Sequence, residues 1–254
     1  MNESLAAVEL EGLGKIYRRS HLGRVKTTLG VEGVTLSVRA GEVFGLLGLN
    51  GSGKTTTLKL VLGLLFPTAG RAKVFGADAG SAEAKRVLGF LPEIPYLYKY
   101  LSGREVLRFY GRLSGIPENL LAARIEEVLK SVRMTQNAHR AMREYSKGML
   151  QRIGLAQSML HNPRLMVLDE PVTGLDPLGL REMRELIQGL NRDGKTIFFS
   201  SHSISEVEKL CHRVGILVNG RLARIVDQSE WGHEHGRLEE IFVSTVAPDH
   251  LKVR

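Results

Sequence analysis

The sequence predicts an α/β fold with a helical block inserted into it, and three observations predict it. Short apolar runs suited to buried strands, Val43–Leu47, Leu165–Leu168 and Thr196–Phe199, recur along the chain. A glycine-rich stretch, Gly48-Leu-Asn-Gly-Ser-Gly-Lys-Thr55, joins the first of them to a helical pattern. From roughly Leu101 to Asn162 the texture is mostly helical, and strand signals resume only beyond it.

The elements follow in order. Val34–Val38 alternates apolar and polar residues, Ala40-Gly41 turns the chain, and Val43–Leu47 is a buried strand. Between Arg18 and Val31 the basic stretch SHLGRVKTT reads as a hairpin excursion from a first small sheet. Lys54–Leu65 reads as a helix ended by Phe66-Pro67, with Lys73–Phe75 and Val87–Leu91 as short strands. Ser102-Gly-Arg-Glu105 has the spacing of a capping box, and Leu120, Leu121, Ile125, Val128, Leu129 and Val132 keep helical spacing. Tyr145–Leu160 continues the helical pattern behind a serine and a glycine. Val214–Val218 and Leu222–Val226 flank Asn219-Gly220, a strong hairpin turn. Beyond Val226 the chain, with its triplet His233-Glu-His235, reads as a surface tail without metal-ligand spacing.

Composition narrows the classes. A chain of 254 residues, 43% hydrophobic and 24% charged, buries a full core and is neither disordered nor collagen-like. Its single cysteine, Cys211, reads as a small buried hydrophobe. No apolar run is long enough to cross a bilayer; the best, Val61–Phe66, is broken by Gly63 and stopped by Pro67. The start MNESLAAVELEG lacks the order of a secretory signal, so a cytoplasmic protein is expected. A net charge of +8 allows contact with nucleic acid or anionic headgroups, but apart from Arg18, Arg19, Arg24 and Lys26 the basic residues are scattered.

The chemistry starts at the glycine-rich stretch, which fits G-x-x-x-x-G-K-[ST] between a strand and a helix. Glycines 48, 51 and 53 let backbone N–H groups turn inward around phosphate oxygens, and Lys54 supplies a cation for the β- and γ-phosphates. Thr55 is placed to hold Mg²⁺, so this is a nucleoside triphosphate site. A metal and a water still need carboxylates, and the strand Leu165–Leu168 ends in Asp169-Glu170. Asp169 is the candidate metal ligand and Glu170 the candidate for polarising the attacking water. His202, closing the strand that ends Ser200-Ser201, is a candidate γ-phosphate contact.

The order of these pieces is phosphate loop, helical insert, serine-glycine helix start, acid-ended strand, Gly174-Leu-Asp176, then His202. It resembles the nucleotide-binding subunit of an ATP-binding cassette (ABC) transporter over nearly the whole chain. The resemblance implies a P-loop NTPase core, with a mostly parallel sheet plus a small antiparallel β-subdomain, and an inserted helical subdomain. The expected limits are a core of about 1–92 and 163–230, a helical subdomain of about 93–162 and a C-terminal tail of about 231–254.

It further implies an ATPase using ATP and Mg²⁺. Gly48, Asn50, Gly51, Ser52, Gly53, Lys54, Thr55 and Thr56 would cradle the nucleotide, with Tyr17 stacking on adenine. Lys54, Glu170 and His202 would act in hydrolysis, and Thr55, Asp169 and Glu93 at the metal. In the family two such domains face each other head to tail, and each signature helix caps the γ-phosphate held by the other. Ser146 and the Gly148 N–H match the S and second G of LSGGQ, and Gln151 and Arg152 the Q and R that follow. Tyr145, Lys147 and Met149 depart from it; Lys147 either attracts phosphate or points to solvent. Glu93 stands where the family usually has a glutamine, and Gly174-Leu-Asp176 resembles the loop through which the domains communicate.

The phrases LPEIPYLY and YSKGMLQR look most like export-type bacterial cassettes. The implied partners are a transmembrane permease and a second nucleotide-binding domain, identical or paralogous, at the inner face of the cell membrane. A soluble cassette ATPase acting on nucleic acid or ribosomes is the alternative. It is disfavoured because such relatives usually carry two cassettes or long coiled-coil or zinc inserts.

Overall fold

The structure, a computed structural model, describes residues 6–21, 24–232 and 236–250. Two long strands, β1 (Ala6–His21) and β2 (Arg24–Arg39), precede β3 (Val43–Leu47) and helix α1 (Lys54–Val61). Strands β4 (Ala69–Val74) and β5 (Ala77–Asp78), helix α2 (Ala82–Arg86) and strand β6 (Leu88–Leu91) follow. Helices α3 (Gly103–Leu113), α4 (Glu118–Ser131) and α5 (Lys147–Met159) come next, then β7 (Leu165–Asp169) and α6 (Pro177–Arg192). The chain continues through β8 (Thr196–Ser201), α7 (Ile204–Leu210), β9 (Arg213–Val218), β10 (Arg221–Asp227), α8 (Gln228–Trp231) and α9 (Arg237–His250). It divides into two compact units, one of Met1–Lys85 with Thr196–Arg254 and one of Arg86–Lys195.

In the first unit β2, β1, β4 and β5 make an antiparallel sheet in that order. A second sheet holds β3 between β8 and β9, parallel to both, with β10 antiparallel to β9. Every residue of β3 and β8 is buried, as a continuous apolar strand in a covered parallel sheet requires. The basic stretch is a hairpin: β1 pairs with β2 out to His21 and Arg24, beyond the last β1–β4 pair at Gly14 and Ala69. Helix α1 stops at Val61, four residues short of the expected end. Gly63 has φ 64°, and a Cβ there would fall on the Gly80 backbone, so the chain leaves the helix to let that strand-to-helix loop pass.

The segment expected to be a surface tail is folded. Trp231, Leu238, Ile241, Phe242 and Val246 are buried, and α9 packs on β9 and α7. Helical spacing gives α9 an apolar face, and burying it outweighs leaving it in water. The triplet His233–His235 lies outside the described residues.

In the second unit β6 runs parallel to β7, from the pair Leu88 and Leu165 to the pair Leu91 and Leu168. The capping box at α3 is present: Ser102 Oγ accepts from Glu105 N–H, and Glu105 Oε2 accepts from Ser102 N–H at 2.8 Å. The Ser102 N–H and hydroxyl, both donating to Glu105 Oε2, hold the Glu105 carboxyl below the usual carboxylate range. Helix α4 buries Leu121, Ile125, Val128 and Leu129, while Leu120 stays exposed. Among the described residues no helix is long and apolar enough to cross a membrane.

Candidate functional site

The phosphate loop of the first unit is shaped by contacts that admit only glycine at two positions. A Cβ on Gly48 would meet Ser52 Oγ and, at 2.6 Å, the Leu217 carbonyl oxygen of β9. At Gly53, where φ is 104°, it would come within 2.6 Å of Val31 and 2.7 Å of the Gly30 carbonyl oxygen on β2. The turn between β9 and β10 seats the loop from the other side: Gly220 N–H donates to Ser52 O at 3.0 Å, and Glu32 N–H to Gly220 O at 2.8 Å. Asn219 and Gly220 have φ 49° and 82°, the left-handed pair of the hairpin turn their sequence predicts.

Within this cradle Lys54 is buried, and its Nζ donates to the carbonyl oxygens of Gly48 at 2.8 Å and Leu49 at 3.2 Å. Gly51, with φ 82°, would meet nothing within 4 Å if it carried a Cβ, so the loop is open there. Ser52 Oγ is buried without a hydrogen-bond partner among the described residues. An open glycine turn, an orphaned hydroxyl and an ammonium held at the loop's centre fit a phosphate chain. Asn50 is exposed at the tip, and Thr55 and Thr56 are half-buried in the first turn of α1.

Tyr17 reaches this loop from β1, its hydroxyl 3.2 Å from Thr56 Oγ1. The approach depends on Gly30, a residue the motif reading does not single out. A Cβ there would come within 2.7 Å of the Tyr17 ring and 3.1 Å of Thr56. His202 follows β8 directly and is exposed.

The second unit holds the carboxylates. Asp169 and Glu170 are buried at the end of β7, and Glu170 takes φ 49°, a left-handed conformation that non-glycine residues rarely adopt. Thr173 braces it, with N–H to Glu170 O at 3.2 Å and Oγ1 to Glu170 Oε2 at 3.0 Å. Strain held by such bonds concentrates at functional positions. Glu93 is exposed, and its carbonyl oxygen accepts from Nε2 of the buried Gln151 at 2.7 Å, joining its segment to α5. Among the described residues no three His, Cys, Asp or Glu side chains gather as a metal site. Mg²⁺ at a nucleotide needs only a hydroxyl and one or two carboxylates beside phosphates and water, so Thr55 and Asp169 are of the right chemistry.

Helix α5 starts as the sequence predicts. Ser146 is its N-cap, with Oγ accepting from Met149 N–H at 3.3 Å. That bond leaves the hydroxyl proton to donate outward. Ser146 is exposed and Gly148 half-buried, so both can meet an anion at the helix start. Arg152 turns back to Glu182 at 3.3 Å, and Asp176 caps α6 by accepting from Gly179 N–H at 2.8 Å.

Comparison with known proteins agrees with this chemistry. Residues 31–173 match the family described as ABC transporter. An uncharacterised ABC transporter ATP-binding protein of Nostoc sp. is 46% identical, over 85% of this chain and 65% of its own. A bacitracin transport ATP-binding protein of Bacillus licheniformis is 40% identical, over 77% of this chain and 63% of its own. The chain thus spans a little under two thirds of the length of these relatives. A solved structure described as the ATP binding subunit of an ABC transporter superposes with a TM-score of 0.77 at 29% identity, covering 94% of this chain and 99% of that one.

Proposed function

The chain belongs to the ABC transporter family, and from that premise we propose that it binds and hydrolyses ATP to drive transport through a separate transmembrane permease. The observation that carries the reading is the phosphate loop itself, with buried Lys54 at its centre and Tyr17 against Thr56 at its edge. Bound Mg·ATP supplies the phosphoryl group and its charge neutralisation. Lys54 and the loop N–H groups would hold the phosphates, Thr55 and Asp169 would each supply a metal ligand, and Tyr17 would present its ring to the base. On the family resemblance Glu170 would take the proton of the attacking water, His202 would contact the γ-phosphate, and Glu93 would serve the metal.

Two copies, or this chain and a paralogue, work head to tail, Ser146 and Gly148 of each capping the phosphate held by the other. The second unit offers a face for the permease. Tyr96 and Tyr100 are each 85% exposed, with Ile94 and Tyr98 beside them in sequence. Tyr98 stacks edge-on against Phe109, which lines a groove of about 430 Å³ with Leu101 and Leu113. Large apolar and aromatic side chains left exposed so close in sequence support a protein partner at the inner face of the membrane. Export as the direction rests on the likeness of LPEIPYLY and YSKGMLQR to export-type cassettes.

The test is Glu170→Gln, expected to slow hydrolysis by roughly 10² to 10⁴ while leaving ATP binding intact. ATP is then expected to hold a dimer on size-exclusion chromatography, and monomer alone overturns the head-to-tail scheme. Co-purification of a polytopic membrane protein from detergent extract tests the permease. Salt-sensitive binding to nucleic acid without such a partner favours the soluble alternative.

A further inference from the structure

The start of α5 departs from the family's pattern at Tyr145, Lys147 and Met149, and two of these departures make specific contacts. Tyr145 is buried and donates its hydroxyl proton to Asn137 O at 2.6 Å. It lies against Gly103, where a Cβ would come within 2.7 Å of that hydroxyl. Lys147 is the first residue of α5, which has no acid in its first turn, so its charge opposes the helix dipole. Its side chain lies across Gly174. A Cβ built on Gly174 would fall on the Lys147 ammonium and lie 3.4 and 3.8 Å from its Cε and Cδ.

Gly174 has φ 68°, and the next residue also touches the helix start: Leu175 Cδ2 is 3.8 Å from where a Gly148 Cβ would sit. Residues 147 and 148 thus straddle 174 and 175. That loop begins at the braced Glu170, closes through Leu175 N–H to Val172 O at 3.3 Å, and ends at the α6 cap Asp176.

We propose that Lys147 is a positioning residue whose side chain, laid across Gly174, ties the first turn of α5 to the loop of residues 170–176. Its effect on the loop rests on this packing alone; its effect on turnover rests on the ATPase reading above. Where the start of α5 engages a partner copy's nucleotide, the Lys147 stem passes that engagement to the Glu170 of its own subunit. The two sites then respond to ATP cooperatively. The end of the side chain, its ammonium together with Cε and Cδ, is what overlies Gly174, so contact and charge meet at one place and the variants must separate them.

Two variants separate the possibilities, Lys147→Ala, which keeps helix propensity and removes the stem, and Lys147→Met, which keeps an unbranched stem and removes the charge. Hydrogen exchange of the Thr173 and Leu175 amides in nucleotide-free protein is the first readout. Lys147→Ala is expected to speed it about five-fold, and Lys147→Met less than about two-fold. Unchanged exchange in Lys147→Ala overturns the clamp, and equal acceleration in both variants overturns stem packing in favour of the ammonium group. The second readout is the ATP dependence of hydrolysis. Lys147→Ala is expected to bring the Hill coefficient towards one with the affinity of the monomer for ATP unchanged, and Lys147→Met to keep it. Faster exchange with an unchanged Hill coefficient overturns the relay. Faster exchange in a protein that does not hydrolyse ATP at all upholds the clamp and overturns the ATPase reading.

Discussion

Helices α1 and α5 begin alike in sequence and differently in structure. Each has a lysine at its first position, Lys54 or Lys147, and no acid in its first turn, so each opposes its own dipole. At α1 the cap is Gly53, left-handed and without a side chain, and Lys54 turns inward to the loop's carbonyl oxygens. At α5 the cap is Ser146, which satisfies one N–H of its own helix, and Lys147 stays exposed across Gly174. The first start is a cradle whose shape fits a phosphate by itself. The second satisfies itself first and offers only what projects, a hydroxyl proton and a few N–H groups, as suits a cap that completes a site held elsewhere.

The largest effect expected from breaking this contrast is at the cradle. Lys54→Ala removes the only side-chain cation of the loop and is expected to weaken ATP binding on the order of 100-fold, measured with a fluorescent nucleotide. Affinity within two-fold of the parent would make the two starts equivalent. Ser146→Arg is expected to leave that binding intact yet abolish hydrolysis. Mixing it with Lys54→Ala subunits is expected to restore roughly a quarter of the activity, since half of the dimers are mixed and each has one intact site of two. A mixture that stays inactive although heterodimers form shows that the cap does not act in trans, or that both sites must fire together.

Smaller effects sharpen the picture around α5. Glu93 is joined through its carbonyl to Gln151 of that helix. A carboxylate at the proposed metal position is one more negative charge for Mg²⁺ to offset than an amide is, so hydrolysis is expected to depend more steeply on Mg²⁺ in the parent than in Glu93→Gln. Superimposable titrations leave Glu93 as a coupling residue alone. The smallest effect lies at the other end of α5, just past its last turn. Burial lowers the pKa of His161, partly countered by its bond to Leu88 O at 3.0 Å. With the folded value below the unfolded one, the unfolded chain binds more protons. Stability is therefore full above the ordinary histidine range and lost as pH falls through and below it. A Tm about 1–2 °C lower at pH 5.5 than at pH 7.5, with a smaller drop in His161→Gln, is expected.

The cradle was legible because its signals are local: eight consecutive residues fix the glycines, the lysine and the hydroxyls. The same holds for the Ser102 capping box and the Asn219-Gly220 turn, where one short stretch dictates one backbone path. What the sequence hides is contact across long separations. Gly30 makes room for Tyr17 and Thr56, and Gly174 makes room for Lys147, yet an isolated glycine advertises neither neighbour. The spacing of Leu238, Ile241, Phe242 and Val246 is helical on inspection, but spacing does not say that β9 and α7 wait to cover the face.

The turn that seats the phosphate loop bears on how the protein is made. Ser52 is held by Gly220, 168 residues later in the chain, and Gly48 fits beneath the carbonyl of Leu217. A ribosome that has released the motif has therefore not yet released its support. Nascent chains stopped before β9 carry every motif residue of the loop without the wall it leans on, so nucleotide binding matures only late in synthesis.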